Sequence, residues 1–311
     1  MGSEQTAPTG PDLAKGIPAA DVGEGRLVAG HVGDEAVLLV RQGGQLYAIG
    51  AHCTHYGGPL EEGVLTDGII RCPWHHAAFD VTTGARARPP ALFGLPCWNV
   101  ELRDGLAVVT SKRKVDTTGD LATTGRSPES VVIIGGGAAT AVALDTLRGE
   151  GYQGPITVIS AERTPLVDRP NLSKDYLAGS APDEWIPLHP DSWYAENEIT
   201  LHTGTEVKQI ELAARRVRLA DGRTIPYNTL LIATGASPIR LPLGDDAPVH
   251  YLRTLDDSNA IIRRAGESKR AVVLGASFIG LEVAASLRAR ELEVTVVAPE
   301  SQPLERVLGE P

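Results

Sequence analysis

VVIIGGGAATAVALDTLRGEG, from Val131 to Gly151, sets the architecture of most of this 311-residue chain. Four β-branched apolar residues in a row read as a strand buried on both faces of a parallel sheet, which has no solvent side to mark with polar residues. A glycine turn, Gly135-Gly136-Gly137-Ala138-Ala139-Thr140, ends the strand and opens an amphipathic helix, and ITVIS (Ile156 to Ser160) supplies the next strand. In such a βαβ unit the turn's amides and the positive helix end face one point, where a pyrophosphate fits. AVVLGASFIGLEVAASLRARELEVTVV, Ala271 to Val297, repeats strand, glycine turn, helix and strand in the same order. Two dinucleotide-binding units in tandem are expected.

Outward from this pair the pattern changes. From Arg26 to Thr110 short β-rich runs (RLVAGHV, EAVLLVR, QLYAIG, IIRC, WNVEL, LAVVT) alternate with turn signals such as Gly33-Asp34, Gly43-Gly44, Asp67-Gly68 and Asp104-Gly105, the mark of a small all-β domain. The expected fold is therefore multidomain, all-β followed by α/β. A disordered tail takes 1–20, where no apolar period could offset the entropy of ordering. The all-β domain takes 21–111, a linker 112–128, a first dinucleotide domain 129–248 and a second 249–311. An open parallel sheet normally has more strands than the second unit offers before Pro311, so that unit is expected to be incomplete and the chain a fragment.

Two boxes in the β-rich part carry the most specific chemistry: Cys53-Thr54-His55 and Cys72-Pro73-Trp74-His75, separated by sixteen residues. Two thiolates suit one iron and two imidazoles the other in a 2Fe-2S cluster. A zinc site uses the same ligand types, but zinc fingers pair like with like in each box, whereas here each box holds one Cys and one His. The flanks complete CTHYGGPL and CPWHHAAFD, which closely resemble Rieske ferredoxins. Against the respiratory Rieske proteins, Gly58, Trp74 and Ala77 stand where an extra disulfide and a cluster-bonding serine belong. Without them the potential is expected near about -150 mV, the low end of the range. His76 is expected to face solvent, and Cys97, alternating with apolar residues in LPCWNV, to be a buried free thiol acting as a small hydrophobe.

The α/β part resembles the pyridine nucleotide-disulfide oxidoreductase superfamily, and within it the apoptosis-inducing-factor-like flavoproteins that carry an N-terminal Rieske domain. From the residues themselves, Gly135 and Gly137, with Ala138 opening the helix, form the phosphate turn, while Thr140 replaces the third glycine and widens the contact of helix and strand. Glu162, at the end of the second strand, is either a solvated carboxylate or the acceptor of a ribose hydroxyl. The resemblance implies that Arg169 and Lys174 in VDRPNLSKDYL hold FAD, that Ala233, Thr234 and Gly235 in TLLIATGASP lie under it, and that Val207 and Arg253 touch adenine and flavin. It also implies that Glu282 pairs with Lys174 as the catalytic couple, the alternative being a surface glutamate.

The second turn is Gly275, Ser277 and Gly280, with Phe278 and Ile279 inside it. Phe278 lies either over the flavin ring or in the core. Glu300, two residues later than usual and with no basic cluster beside it, favours NADH over its 2'-phosphorylated form.

A net charge of -10 disfavours nucleic acid and anionic membranes, and no apolar run approaches a bilayer span, so the chain is expected in the cytoplasm. The activity implied is an NAD(P)H-dependent flavoprotein oxidoreductase. Electrons pass from NADH through FAD to the Rieske cluster and on to an unidentified redox protein, quinone or oxygenase. Two other roles stand beside it: a redox-responsive NADH-binding signalling protein, and the reductase component of an oxygenase system.

Overall fold

A computed structural model describes residues 9–91, 93–113, 127–242 and 248–309. The chain divides into two compact units, Met1–Gly125 and Arg126–Pro311. The first holds β1 (Ile17–Pro18), β2 (Leu27–Val32), β3 (Glu35–Gln42), β4 (Gln45–Gly50), β5 (Val64–Thr66), β6 (Ile69–Arg71), β7 (Ala78–Asp80), β8 (Arg86–Arg88), β9 (Cys97–Arg103) and β10 (Leu106–Arg113). Six strands form an antiparallel sheet in the order β1-β10-β9-β4-β3-β2, and β5 to β8 form a four-stranded meander. The expected runs fall on β2, β3, β4, β6, β9 and β10. The strands β1, β5, β7 and β8 are two or three residues long and were not marked, whereas β6, equally short, shows in its paired isoleucines.

β3 explains how the unit holds together. Its Val37, Leu38, Leu39 and Val40 are all fully buried, because successive side chains point to opposite faces and both faces are covered. Leu38 and Val40 join the core containing Cys53, Leu60, Ile70, Cys72 and Phe79. Val37 and Leu39 join a second core with Leu13, Val22, Trp98 and Val109.

That second core corrects the expected tail. Residues 1–8 lie outside the described residues, but Leu13 is fully buried, its amide donates to His31 O at 2.8 Å, and its carbonyl accepts from Val109 N at 2.9 Å. Arg41 secures the following turn by donating to Val22 O at 2.6 Å and Ala19 O at 2.7 Å. The partners lie far along the chain, so local composition carried no sign of them. The expected linker also begins late: Lys112 and Arg113 belong to β10, and Lys112 pairs with Glu35 and sits over the Trp98 ring at 5.2 Å. Most of 112–128 lies outside the described residues.

The second unit is layered. β11 (Val131–Ile134), α1 (Ala138–Gly149) and β12 (Ile156–Ile159) form the expected βαβ element. After α2 (Asp175–Ala178) and α3 (Asp191–Glu196) come β13 (Ile199–His202), β14 (Val207–Glu211), β15 (Arg216–Leu219), β16 (Thr224–Pro226) and β17 (Thr229–Ile232). The parallel sheet runs β13-β12-β11-β17, and β14-β15-β16 form a separate antiparallel sheet that no earlier signal marked. Val131, Ile133, Ile156 and Val158 meet Leu144 of α1 and Tyr194 of α3, while Val132, Ile134 and Ile159 meet Val217 and Leu219 of the small sheet. Both faces are covered, as the apolar runs required.

The repeat unit follows as α4 (Leu255–Gly266), β18 (Arg270–Leu274), α5 (Phe278–Ala289), β19 (Glu293–Val297) and α6 (Glu305–Leu308). Here α5 covers only one side, where Val283 and Leu287 pack on Ala271, Val273 and Val294. Val272 on the other side is 65% exposed. Among the described residues no helix is long and apolar enough to cross a membrane.

Leu13→Ala is expected to destabilise the first unit by about 2–5 kcal/mol, the usual cost of truncating a fully buried leucine. Urea unfolding measures it, and a change within about 0.5 kcal/mol would show that the segment is not part of the core.

Candidate functional site

The two Cys-His boxes are built alike. Cys53 N donates to Gly58 O at 2.9 Å while Gly57 N donates back to Cys53 O at 2.9 Å, and Cys72 N donates to Ala77 O at 2.8 Å while His76 N donates back to Cys72 O at 3.1 Å. The fourth residue after each cysteine takes the left-handed conformation, Gly57 at φ 73° and His76 at φ 60°. Glycine does so freely, and histidine is among the residues that tolerate it. His76 is therefore held in place by a backbone requirement, and its ring is exposed.

Cys53 and Cys72 are buried. Burial pushes the Cys53 thiol up, the amides of His55 and Tyr56 work against this, and the neighbouring Cys72 thiol adds to it. Gly58 has no room for a side chain, since a Cβ there would stand 2.8 Å from Cys72 Sγ and 3.1 Å from the Trp74 ring. The His55 and His75 rings stand edge to face, with centroids 5.0 Å apart, and Tyr56 lies beside both at 4.1 and 5.6 Å. Among the described residues no three His, Cys, Asp or Glu side chains close around one ion position. Cys53 and Cys72 are neighbouring thiols and His55 and His75 neighbouring imidazoles, a donor set that fits a binuclear 2Fe-2S cluster. Cys97 is a free, buried thiol, with Sγ 3.6 Å from Leu95 O.

In the second unit a cleft of about 190 Å³ opens at the ends of β11, β12 and β17. Its wall includes Gly135, Gly137, Glu162, Arg169, Val207, Ala233, Thr234, Gly235 and Arg253. Gly135, at φ 124°, donates its amide to Ile159 O at 2.9 Å, and a Cβ there would run into the Ala233 carbonyl. The second turn repeats this geometry: Gly275, at φ 114°, donates to Val297 O at 2.8 Å. A Cβ on Gly280 would strike Gly275 O. At the matching place in the first turn Thr140 is fully buried, and its hydroxyl donates to Gly135 O at 2.7 Å. The threonine replaces a glycine contact with a hydrogen bond that ties the turn.

Arg169 pairs with Glu162, both side chains about four-fifths buried. Burial pushes the Glu162 carboxyl up, against the pull of Arg169 and Arg253. Arg169 Nε is buried with no hydrogen-bond partner, an unused donor in the cleft wall that a dinucleotide's phosphate or ribose oxygen would satisfy. A Cβ on Gly137 would meet nothing closer than Arg169 Nη2 at 3.6 Å, so the turn is open there and the residues fit such a group. Ser160, Thr205 and Glu206 also line the cleft. They were not singled out, because the first ends a strand like any serine and the others lie in a connection without a motif.

Ala138, the first residue of α1, lies outside the cleft wall, as does Lys174, whose Nζ is 3.0 Å from Glu282 Oε2. Phe278 is 55% and Ile279 58% exposed. Glu300 is paired with Arg306 at 2.7 Å, a single cation rather than a basic cluster. α6 brings Arg306 back over a distance that the strand pattern does not convey.

The family comparisons agree with this geometry. Residues 129–311 match the pyridine nucleotide-disulphide oxidoreductase family, and the chain belongs to it. Residues 14–99 match the Rieske [2Fe-2S] domain, so the first unit takes a 2Fe-2S cluster and the second FAD with a pyridine nucleotide.

The chain is similar to apoptosis-inducing factor 3 of Mus musculus, 35% identical over 302 residues, covering 93% of this chain and 49% of that protein. It is also similar to the ferredoxin–NAD(+) reductase component of the anthranilate 1,2-dioxygenase system of Burkholderia cepacia, 40% identical over 187 residues, covering 59% and 46%. Among solved structures it resembles putidaredoxin reductase in its covalent complex with putidaredoxin, with TM-score 0.55 and 37% identity, covering 58% and 45%. The chain spans about half the length of these relatives.

His55→Cys or His75→Cys is expected to alter the low-temperature EPR signal of the reduced cluster while leaving flavin absorption unchanged, because only the imidazole-ligated iron is touched. An unaltered signal removes that histidine from the ligand set. Arg169→Ala is expected to weaken FAD binding about 10- to 150-fold, the scale of one hydrogen bond to a charged group. Quenching of FAD fluorescence on titration measures it, and an unchanged affinity would take Arg169 out of the site.

Proposed function

We propose that this protein is an NADH-dependent electron-transfer flavoprotein with its own first electron acceptor. The cleft carries this reading, because it gathers residues from well-separated segments, Gly135, Glu162, Arg169, Val207, Thr234 and Arg253, in a unit joined to a cluster-binding domain. When bound, FAD supplies hydride acceptance from NADH, and the 2Fe-2S cluster supplies one-electron transfer.

The chain's own residues bind and orient. The Gly135 turn and the start of α1 take the FAD pyrophosphate, Glu162 a ribose hydroxyl, and Arg169 Nε an oxygen beside it. Val207 holds the adenine through its backbone, while Ala233, Thr234, Gly235 and Arg253 flank the rest. Lys174, with Glu282, places a positive charge where negative charge develops on the reduced ring. Gly275, Ser277 and Gly280 take the nicotinamide dinucleotide's phosphates, with the exposed Phe278 and Ile279 beside its path. Cys53 and Cys72 hold one iron and His55 and His75 the other. The exposed His75 ring would let an acceptor protein dock close to the imidazole-ligated iron.

The next acceptor we infer is a soluble redox protein or an oxygenase, which the similarity to named ferredoxin reductases supports. We place the protein in the cytoplasm. A Rieske domain on the same chain raises the effective concentration of the first acceptor, which favours an electron-transfer role over a signalling one.

Glu300 is proposed to take the adenosine ribose of NADH. kcat/KM for NADH is expected to exceed that for NADPH by at least ~10-fold, about 1.4 kcal/mol. Glu300→Ser should narrow the gap, because it removes a carboxylate and leaves Arg306 to meet the 2'-phosphate. Equal efficiencies in the unsubstituted protein would remove Glu300 from the site.

A further inference from the structure

Two serine hydroxyls, from α4 and α5, converge on one short stretch of backbone that contains a third serine, Ser173. The 3-10 turn Arg169–Ser173 ends at Lys174, whose φ of -114° and ψ of -118° break the helical run before α2 begins. Carbonyls at such an end lack helical partners and, when buried, need another donor. Ser258 of α4, fully buried, donates to Leu172 O at 3.0 Å. Ser286 of α5, also buried, lies 2.8 Å from Ser173 O and 3.1 Å from Lys174 O, its one proton serving the nearer.

Ser173 itself does something else. Its buried hydroxyl donates to Glu282 Oε2 at 2.7 Å, closer than the 3.3 Å to Pro170 O. That carboxylate oxygen is the one that Lys174 Nζ approaches to 3.0 Å, and Nζ also donates to Pro170 O at 3.1 Å. Glu282 and Ser286 are four residues apart, one turn of α5, so one helix face reads both the Ser173-Lys174 backbone and their side chains. Lysine has a flexible four-carbon stem, and only a fixed partner can hold its charge in one place.

We propose that Ser173, Ser258 and Ser286 form a hydroxyl clasp, a set of positioning residues that hold Lys174 and Glu282 in one geometry for hydride transfer. The proposal rests on the reading that Lys174 serves the flavin. A carboxylate held only by a half-exposed lysine would sample several rotamers. The charge-assisted bond from Ser173 fixes one of them, and the two backbone bonds fix Leu172 and Ser173, the residues that lead into Lys174. Serines that merely filled the core would not have spent one hydroxyl on a side-chain carboxylate.

The test uses Ser173→Ala, Ser173→Thr, Lys174→Met and the double variant Ser173→Ala/Lys174→Met in the full-length protein. In the cofactor-free protein, acetic anhydride labelling of Lys174, followed by mass spectrometry, is expected to rise about threefold in Ser173→Ala with the other lysines unchanged, and to stay at the original rate in Ser173→Thr. In the FAD-loaded protein, stopped-flow reduction of the flavin by NADH is expected to slow about tenfold in Ser173→Ala, to recover in Ser173→Thr, and to show no added effect of Ser173→Ala in the Lys174→Met background.

Unchanged labelling and an unchanged rate in Ser173→Ala, with a slow Lys174→Met, overturn the clasp and leave the proposed function standing. Equal slowing by Ser173→Ala in both backgrounds overturns it as well, since the effect is then not exerted through Lys174. A Lys174→Met variant as fast as the original removes the lysine's role and the clasp with it. Should Ser173→Ala fail to fold, Ser286→Ala takes its place with the same measurements and the same deciding outcomes.

Discussion

Backbone groups that lose their regular partners are the constraint on which both units depend. A strand that stops at a glycine turn, or a helical turn that stops at Lys174, leaves amides and carbonyls to be paired, and burying them unpaired costs more than a single contact returns. Gly135 and Gly275 meet the constraint by donating to the last residue of the neighbouring strand, Ile159 and Val297. The cysteine loops meet it with paired bonds to Gly58 and Gly57, and to Ala77 and His76.

The same constraint explains why certain residues admit no substitute. Gly58 is small because Cys72 Sγ and Trp74 occupy the space of its side chain. The two dinucleotide turns show that one geometric need has two chemical answers. Gly280 lets helix and strand approach by having no side chain, whereas Thr140 fills the corresponding place and bonds the turn it displaces. His76 and Gly57 are a second such pair, both left-handed at the fourth residue after a cysteine.

Charge is arranged more economically than composition suggests. A net charge of -10 says little about the cleft, where Glu162 stands with Arg169 and Arg253. Around Lys174 the charges come from different segments, with Lys174 before α2 and Glu282 on α5, and hydroxyls supply the orientation that an ion pair alone, being non-directional, lacks.

Much was legible in the sequence wherever the physics is local. The Cys-His spacing and its flanks indicated the Rieske domain, and apolar runs broken by glycine turns placed β11, α1, β12, β18, α5 and β19, because strand and helix periods and left-handed turns leave marks within a few residues. Tertiary structure alone decided what depends on distant partners. Leu13 is core because β2 accepts from its amide and β10 donates to its carbonyl, and Ser258 and Ser286 reach the Leu172-Ser173 backbone only because α4 and α5 pack on the end of one 3-10 turn. A serine or a leucine looks the same in sequence whether it is solvated or clasped, since its role is set by what lies opposite, and contacts across a hundred residues have no local signature.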